Sequence, residues 1–224
     1  MRPRGRFLPA LRFPALTRFY DPAIRWTTRE ATFKRRLLGQ AGIMPDQRVL
    51  DLGCGTGTLA IMAKRSQPGA DIAGLDADPQ MLGRAQRKAE ATGAAIRFDV
   101  GLSNDLPYAD ASFDLILSSL FFHHLVLEDK RRTVAEIGRV LRPGGRLHVA
   151  DWGKPSDPLM RVLSLGVRFG DGSEPTRDNL SGALPRVFEE GGLEGAAETG
   201  SLRTAGGTLA FYRARRPEVS STGA

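Results

Sequence analysis

The chain of 224 residues contains one cysteine, Cys54, and only three histidines. A single cysteine excludes an intrachain disulfide and a cysteine-built zinc site, and it fits a reducing compartment. Two of the histidines are adjacent and the third, His148, lies inside a strand-like run; with no cysteine cluster they offer no convincing metal centre, so none is expected. No uninterrupted apolar run approaches the roughly 20 residues that span a bilayer, and no signal-peptide apolar region opens the chain. Acid is scarce at the start: Asp21 and Glu30 alone oppose ten arginines and lysines in residues 1–36, giving that stretch +8 and leaving the remainder near −1. A globally basic nucleic-acid-binding surface is thereby excluded, and a basic arm is expected instead.

With 41% hydrophobic residues, a sizeable core is available, enough for one soluble domain with an appendage. The expected organisation is a basic helical arm at 1–40, a catalytic-sized domain at 41–216 and a flexible tail at 217–224. In the arm, Phe7, Leu8, Leu11, Phe13, Leu16, Phe19 and Ile24 interleave with arginines. Three readings fit: a helix packing on the domain with a solvated basic face, a contact with an anionic membrane, or a transit peptide. The expected location is cytoplasmic, with peripheral membrane contact through residues 1–36 as the alternative.

Strand-like runs recur at Arg48–Cys54, Asp71–Asp76, Ala94–Val100, Phe113–Ser119 and Arg146–Trp152, separated by segments long enough for crossovers. This alternation predicts an α/β fold with a doubly wound, mostly parallel sheet. Asp78-Pro79 supplies a helix N-cap and a proline in the first turn, followed by Leu82, Ala85 and Ala89. Val134, Ile137, Val140 and Leu141 carry helical spacing up to Arg142-Pro143-Gly144-Gly145. Leu180, Leu184, Val187 and Phe188 predict one helix ending at Gly191-Gly192. Glu194–Thr199 and Thr208–Arg213, joined by Gly200–Gly207, predict a closing antiparallel hairpin.

The richest stretch is VLDLGCGTGTLA at 49–60. Val49, Leu50 and Leu52 suit a strand buried on both faces, and Gly53, Gly55 and Gly57 let the backbone turn and present its N–H groups at the start of a helix running from Thr58 to about Lys64. Such a turn serves nicotinamide and sulfonium cofactors alike, or neither. Cys54, between glycines, reads as a small packing residue.

Taken with IAGLDADPQML at 72–82, LPYADASFDLILSS at 106–119, HHL at 123–125 and RVLRPGGRLHVAD at 139–151, this stretch resembles the class I S-adenosylmethionine-dependent methyltransferases. The resemblance is to the ubiquinone/menaquinone-biosynthesis-like C-methyltransferases in particular, and it covers roughly Gln47–Gly153. It implies a Rossmann-like seven-stranded sheet and S-adenosyl-L-methionine as cofactor. It also implies a cofactor-binding set of Asp51, Gly53, Cys54, Gly55, Gly57, Asp76, Ala77, Met81, Leu102, Ser103, Ser118 and Ser119. Asp51 would face the cofactor's ammonium or cap the loop, and Asp76 would take both ribose hydroxyls. Asp78 reads better as the N-cap than as a ligand, and Met81 as an adenine neighbour or a core residue. Leu102 stands where many relatives carry an acid beside the adenine, so that contact would pass to Ser103 or to backbone. Ser118 and Ser119 end a strand, where ligands gather in open parallel sheets; Asp114 would be structural.

Methyl transfer needs alignment, exclusion of water and, for some acceptors, a base. His124, then His123, are the expected imidazoles; Asp151 and Trp152, at the mouth of the sheet, would touch acceptor or cap a loop. An apolar helix opening at Asp157-Pro158 reads as a lid or as packing on the sheet, and Tyr20 and Asp21 would close the pocket from the arm. The expected partner is a small, apolar or aromatic acceptor resembling a quinone precursor. A phospholipid N-methyltransferase, a non-catalytic cofactor-binding module and a nicotinamide oxidoreductase are the competing readings.

Overall fold

The computed structural model describes residues 29–218, apart from the side chains of residues 169–171. Most of the basic arm, with Tyr20 and Asp21, and the end of the tail lie outside the described residues. From Glu30 the chain runs α1 (Glu30–Ala41), β1 (Arg48–Leu52), α2 (Thr58–Ser66), β2 (Asp71–Asp76), α3 (Pro79–Ala91), β3 (Arg97–Val100) and β4 (Phe113–Ser119). A 3₁₀ turn (Phe122–His124) follows, then α4 (Leu127–Val140), β5 (Leu141–Trp152), α5 (Pro158–Asp171), α6 (Ser173–Ser181), α7 (Leu184–Glu190), β6 (Glu194–Thr204) and β7 (Gly207–Arg215).

One seven-stranded sheet takes the order β3-β2-β1-β4-β5-β7-β6, with β1 to β5 parallel and β7 antiparallel to both β5 and β6. This is the doubly wound sheet with a terminal hairpin that the sequence predicts. Two apolar layers flank it. Leu50, Ile116, Ile137, Leu147, Phe188 and Tyr212 belong to one, while Phe33, Leu37, Val49, Ala60, Leu117 and Phe211 belong to the other. Burying these two faces is what stabilises the central strands, because each is apolar on both sides.

The structure corrects several expected boundaries. β1 stops at Leu52, two residues earlier than expected, because Gly53 enters the left-handed region (φ 69°) and bends the chain out of the ladder. β3 begins at Arg97 and not at Ala94. The RPGG segment does not separate helix from strand: Leu141 already pairs with Phe113, and a bulge absorbs residues 142–145 before Arg146 pairs with Leu115. Cross-bonds to the chain end hold this bulge, with Gly144 N donating to Arg216 O (3.1 Å) and Arg216 N to Gly145 O (2.8 Å). The single helix expected from Leu180 to Phe188 is two, α6 and α7, broken at Gly182 (φ 80°). The terminal strands extend to Thr204 and back from Gly207, so only Ala205 and Gly206 form the turn.

Asp114 is structural: it accepts from Arg48 N (2.6 Å) and pairs with Arg142 (2.7 Å). α1 lies on the sheet, with Phe33, Leu37 and Ala41 fully buried. Its Gln40 reaches His148, Nε2 to Nδ1 at 3.0 Å, so that histidine is committed to the interior far from the strand ends. Burial and neighbouring arginines pull its pKa down to about 4.

Candidate active site

The carboxyl ends of β1, β2, β4 and β5 form the mouth of the sheet, where open α/β sheets take ligands. After β1, Gly53, Gly55 and Gly57 all have positive φ (69°, 52° and 71°). Two of them are also fixed by close neighbours. A Cβ on Gly53 would overlap the Phe121 ring, and one on Gly57 would come within 2.9 Å of Ala85 and 3.0 Å of Phe98. Gly55 differs, because nothing lies within 4 Å of its Cβ position. It is the glycine that faces open space.

Asp76 shapes this loop. Its Oδ2 accepts from Gly55 N (2.8 Å) and its Oδ1 from Asp78 N (2.9 Å), so the carboxylate straps the glycine turn to the end of β2. Burial nevertheless raises its pKa. Asp78 caps α3 through Gln80 N (2.8 Å), as expected. Cys54 is buried: its Sγ lies 3.0 Å from the Cβ position of Gly74, and burial lifts its pKa well above the usual thiol value, which makes it an inert packing group. Met81 is buried in α3, and Ala77 is half-buried beside Asp76.

Asp51 carries the most informative defect. Its Oδ2 accepts from Ala60 N (3.0 Å), whereas its Oδ1 is buried without a hydrogen-bond partner among the described residues. Burial raises its pKa to about 7, against the pull of Lys34 and of Ala60 N. Such a carboxylate is half-equipped: it asks for a cation or a donor that the protein does not supply.

Other expected positions are engaged by the protein itself. Ser118 is fully buried and donates to Leu52 O (2.9 Å), Ser103 shares a bond with Thr133 of α4 (2.8 Å), and Leu102 bridges Asp105 at the surface. Ser119 remains half-buried at the end of β4.

On the other side of the mouth, Asp151 is fully buried and accepts four bonds. They come from Phe121 N (3.0 Å), Phe122 N and Trp152 N (2.7 Å each), with His123 Nδ1 at 2.7 Å completing the set. Burial alone would raise the Asp151 pKa, but His123 and the donated bonds outweigh it and hold the carboxyl below its usual range. The His123 ring lies 4.0 Å from that of His124, centroid to centroid, and burial with that neighbour lowers the His124 pKa to about 3. His124 is thereby disfavoured as a proton acceptor, and of the two imidazoles the carboxylate-paired ring is His123.

The apolar helix expected after Asp157-Pro158 is α5, with Asp157 capping it through Met160 N (3.0 Å). Met160 and Val167 are buried and the helix packs on β7, while Leu159, Val162 and Leu165 are exposed. Sequence reasoning missed the cover over the histidine turn, which is α6 and not α5. Lys130 of α4, fully buried, donates to Pro175 O (2.7 Å) and Asp178 Oδ2 (3.2 Å) and fastens α6 there. No periodicity in the sequence marks that lysine, since it lies near the polar start of its helix.

The fold is that of class I methyltransferases. Residues 49–145 match the methyltransferase domain family. The chain is 37% identical over 148 residues to a demethylmenaquinone methyltransferase of Thermus thermophilus, covering 65% of this chain and 63% of that protein. It is 39% identical over 131 residues to the Deinococcus radiodurans protein of the same name, covering 58% and 54%. The chain thus spans less than two thirds of the length of these relatives. Among solved structures, the [4+2]-cyclase SpnF superposes with a TM-score of 0.69 at 20% identity, over 84% of this chain and 82% of that one. Phosphoethanolamine N-methyltransferase 2 of Haemonchus contortus, in complex with S-adenosyl-L-methionine, gives 0.69 at 18% identity, over 84% and 53%.

Proposed function

We propose that the chain binds S-adenosyl-L-methionine and transfers its methyl group to a small apolar or aromatic acceptor of the quinone-precursor type. The observation that carries the cofactor is the buried, unpartnered Oδ1 of Asp51 beside a glycine turn whose Gly55 faces open space. An ammonium is what that oxygen lacks, and a backbone without a side chain is what a close-lying ligand needs. Asp51 would take the amino group of the methionine portion. Asp76, whose two oxygens each keep a lone pair beyond the backbone bonds, would take the ribose hydroxyls.

The cofactor supplies an electrophilic methyl on a sulfonium. The protein's part is then to align the acceptor, exclude water and receive one proton. Asp151 holds His123 by Nδ1, which favours the tautomer whose lone pair is on Nε2, so His123 is the imidazole suited to take a hydroxyl proton from the acceptor. The quinone-type acceptor is supported by the two relatives named for demethylmenaquinone. The arm at residues 1–36 is proposed as a salt-sensitive contact with anionic membrane, consistent with a lipophilic acceptor. Among the described residues no helix is long and apolar enough to cross a membrane.

Isothermal titration with S-adenosylmethionine, S-adenosylhomocysteine and NAD tests the reading. Binding of both adenosyl ligands and not of NAD is expected. Binding of NAD alone sinks it.

A further inference from the structure

α6 is delimited by two glycines of positive φ, Gly172 (97°) and Gly182 (80°), and it packs against the 3₁₀ turn that carries His123 and His124. Lys130 grips it at Pro175 and Asp178. The next residue, Asn179, is 0% exposed, yet neither its Nδ2 nor its Oδ1 has a hydrogen-bond partner among the described residues. A primary amide offers two donors and an acceptor, and leaving all of them unmet in the interior costs on the order of a few kcal/mol.

A second group shares this defect. Tyr212 of β7 is likewise 0% exposed, its ring edge-on to Phe188 (centroids 6.3 Å apart), and its hydroxyl has no hydrogen-bond partner among the described residues. That hydroxyl lies at the carboxyl end of the sheet, 3.1 Å from the Cβ position of Gly153, two residues past Asp151. Burial and the carboxylates of Glu198 and Asp151 disfavour its ionisation, so it remains a neutral donor.

Both groups are neutral, so they suit a ligand's hydroxyl or carbonyl and not an ammonium or a phosphate. We infer that Asn179 and Tyr212 are specificity-determining residues that hydrogen-bond the oxygen substituents of an aromatic acceptor enclosed under α6. The inference rests on the methyltransferase reading above and deepens it. It identifies an oxygen-bearing ring as the acceptor chemistry, and it assigns α6 as the element that closes over it beside the His123–Asp151 pair.

The test is acceptor binding by the whole chain with S-adenosylhomocysteine present, using 1,4-naphthoquinol under reducing conditions and naphthalene as the oxygen-free probe. The wild type should bind the naphthoquinol at least about tenfold more tightly than naphthalene. Asn179→Leu and Tyr212→Phe should each lose about five- to tenfold toward the naphthoquinol and nothing toward naphthalene, as befits one hydrogen bond. Tyr212→Phe deletes only an unpartnered oxygen and should fold with an unchanged or higher Tm, which guards against misfolding of the asparagine variant. Equal affinity of the wild type for the two probes, or unchanged affinity in Tyr212→Phe and a folded Asn179→Leu, overturns the inference and leaves trapped water as the partner of both groups. The cofactor titration is unaffected by either outcome, so the failure of this inference and of the methyltransferase reading are told apart.

Discussion

Asp51 and Asp151 sit on two strands of one sheet, both fully buried and both at its mouth, yet burial lifts the first carboxyl to about 7 while the second lies below the usual range. The difference is in what the protein gives them. Asp151 receives three backbone N–H groups and an imidazole, whereas Asp51 receives one N–H and keeps an oxygen unmet. A buried carboxylate already satisfied organises the protein around itself. One left half-satisfied is stabilised only when something arrives. The same distinction extends outward. The orphaned atom on the β1 side is anionic and suits a cation, and the orphaned groups on α6 and β7 are neutral and suit oxygen substituents. On the proposed function, the charge of the unmet groups would separate a cofactor half from an acceptor half.

Asp151→Ala should show the largest effect. It strands three buried N–H groups and releases His123, so a loss of about 3–5 kcal/mol is expected, the range for breaking a buried pair. At this chain length that is a Tm decrease of roughly 6–20 °C by calorimetry. Because its folded pKa is depressed, the stability Asp151 contributes is present above the ordinary carboxyl pKa and is lost as pH falls through the folded value. A Tm within a degree or two of wild type at pH 7 would show that the carboxylate does not organise this side.

Asp51→Asn should act in the opposite sense on the empty protein. A carboxyl whose folded pKa is raised gives stability that is present at low pH and lost as pH rises through about 7, so at pH 8 wild-type Asp51 is a buried, poorly paired charge. The amide removes that charge and should raise the Tm at pH 8. It should also weaken S-adenosylmethionine by about 2–3 kcal/mol, roughly 30- to 150-fold, because the ammonium loses its counter-charge. Asp51 and Asp151 would prove equivalent if both variants lowered the Tm at pH 8.

Asp76→Ala tests a carboxylate of mixed character, strapping the loop through Gly55 and Asp78 while offering its remaining lone pairs to a ligand. Cofactor binding should weaken by at least about 1.5 kcal/mol, the lower range for a hydrogen bond to a charged group. An unchanged titration removes Asp76 from the site.

Which of these residues could be read from the chain follows the same division. The turn at 53–57, the strand ending at Asp76 and the Asp78 cap are local: each depends on residues within a few positions, where glycine, proline and side-chain length leave a pattern. The partnership of His123 with Asp151 spans 28 positions and that of Lys130 with Asp178 spans 48. Only the packing of β5 and α6 brings them together, so no spacing announces them. Asn179 and Tyr212 are harder still, since what distinguishes them is a missing partner. The RPGG segment misled for a related reason. Proline and glycine mark a break in a ladder, but here Arg216 bridges the break and the strand continues on both sides of it.

The smallest expected effect on folding comes from the glycine turn, and it isolates the cofactor half most cleanly. Gly53 and Gly55 both have positive φ, so alanine at either costs about 1–2 kcal/mol in backbone strain. At Gly53 the added methyl must also displace the Phe121 ring, whose backbone N–H is held by Asp151, so the substitution disturbs the acceptor half as well. At Gly55 the methyl meets only open space, and the cost to folding should stop at the strain, a Tm decrease of about 2–8 °C. Its effect should fall on the ligand instead. Gly55→Ala should raise the dissociation constant for S-adenosylhomocysteine at least about tenfold while leaving the empty protein more stable than Gly53→Ala, because the space it fills is the space a cofactor needs. Equal affinity for the ligand in Gly55→Ala and wild type would mean that the open face of the turn is bare surface, and that Asp51 waits for a cation approaching from elsewhere.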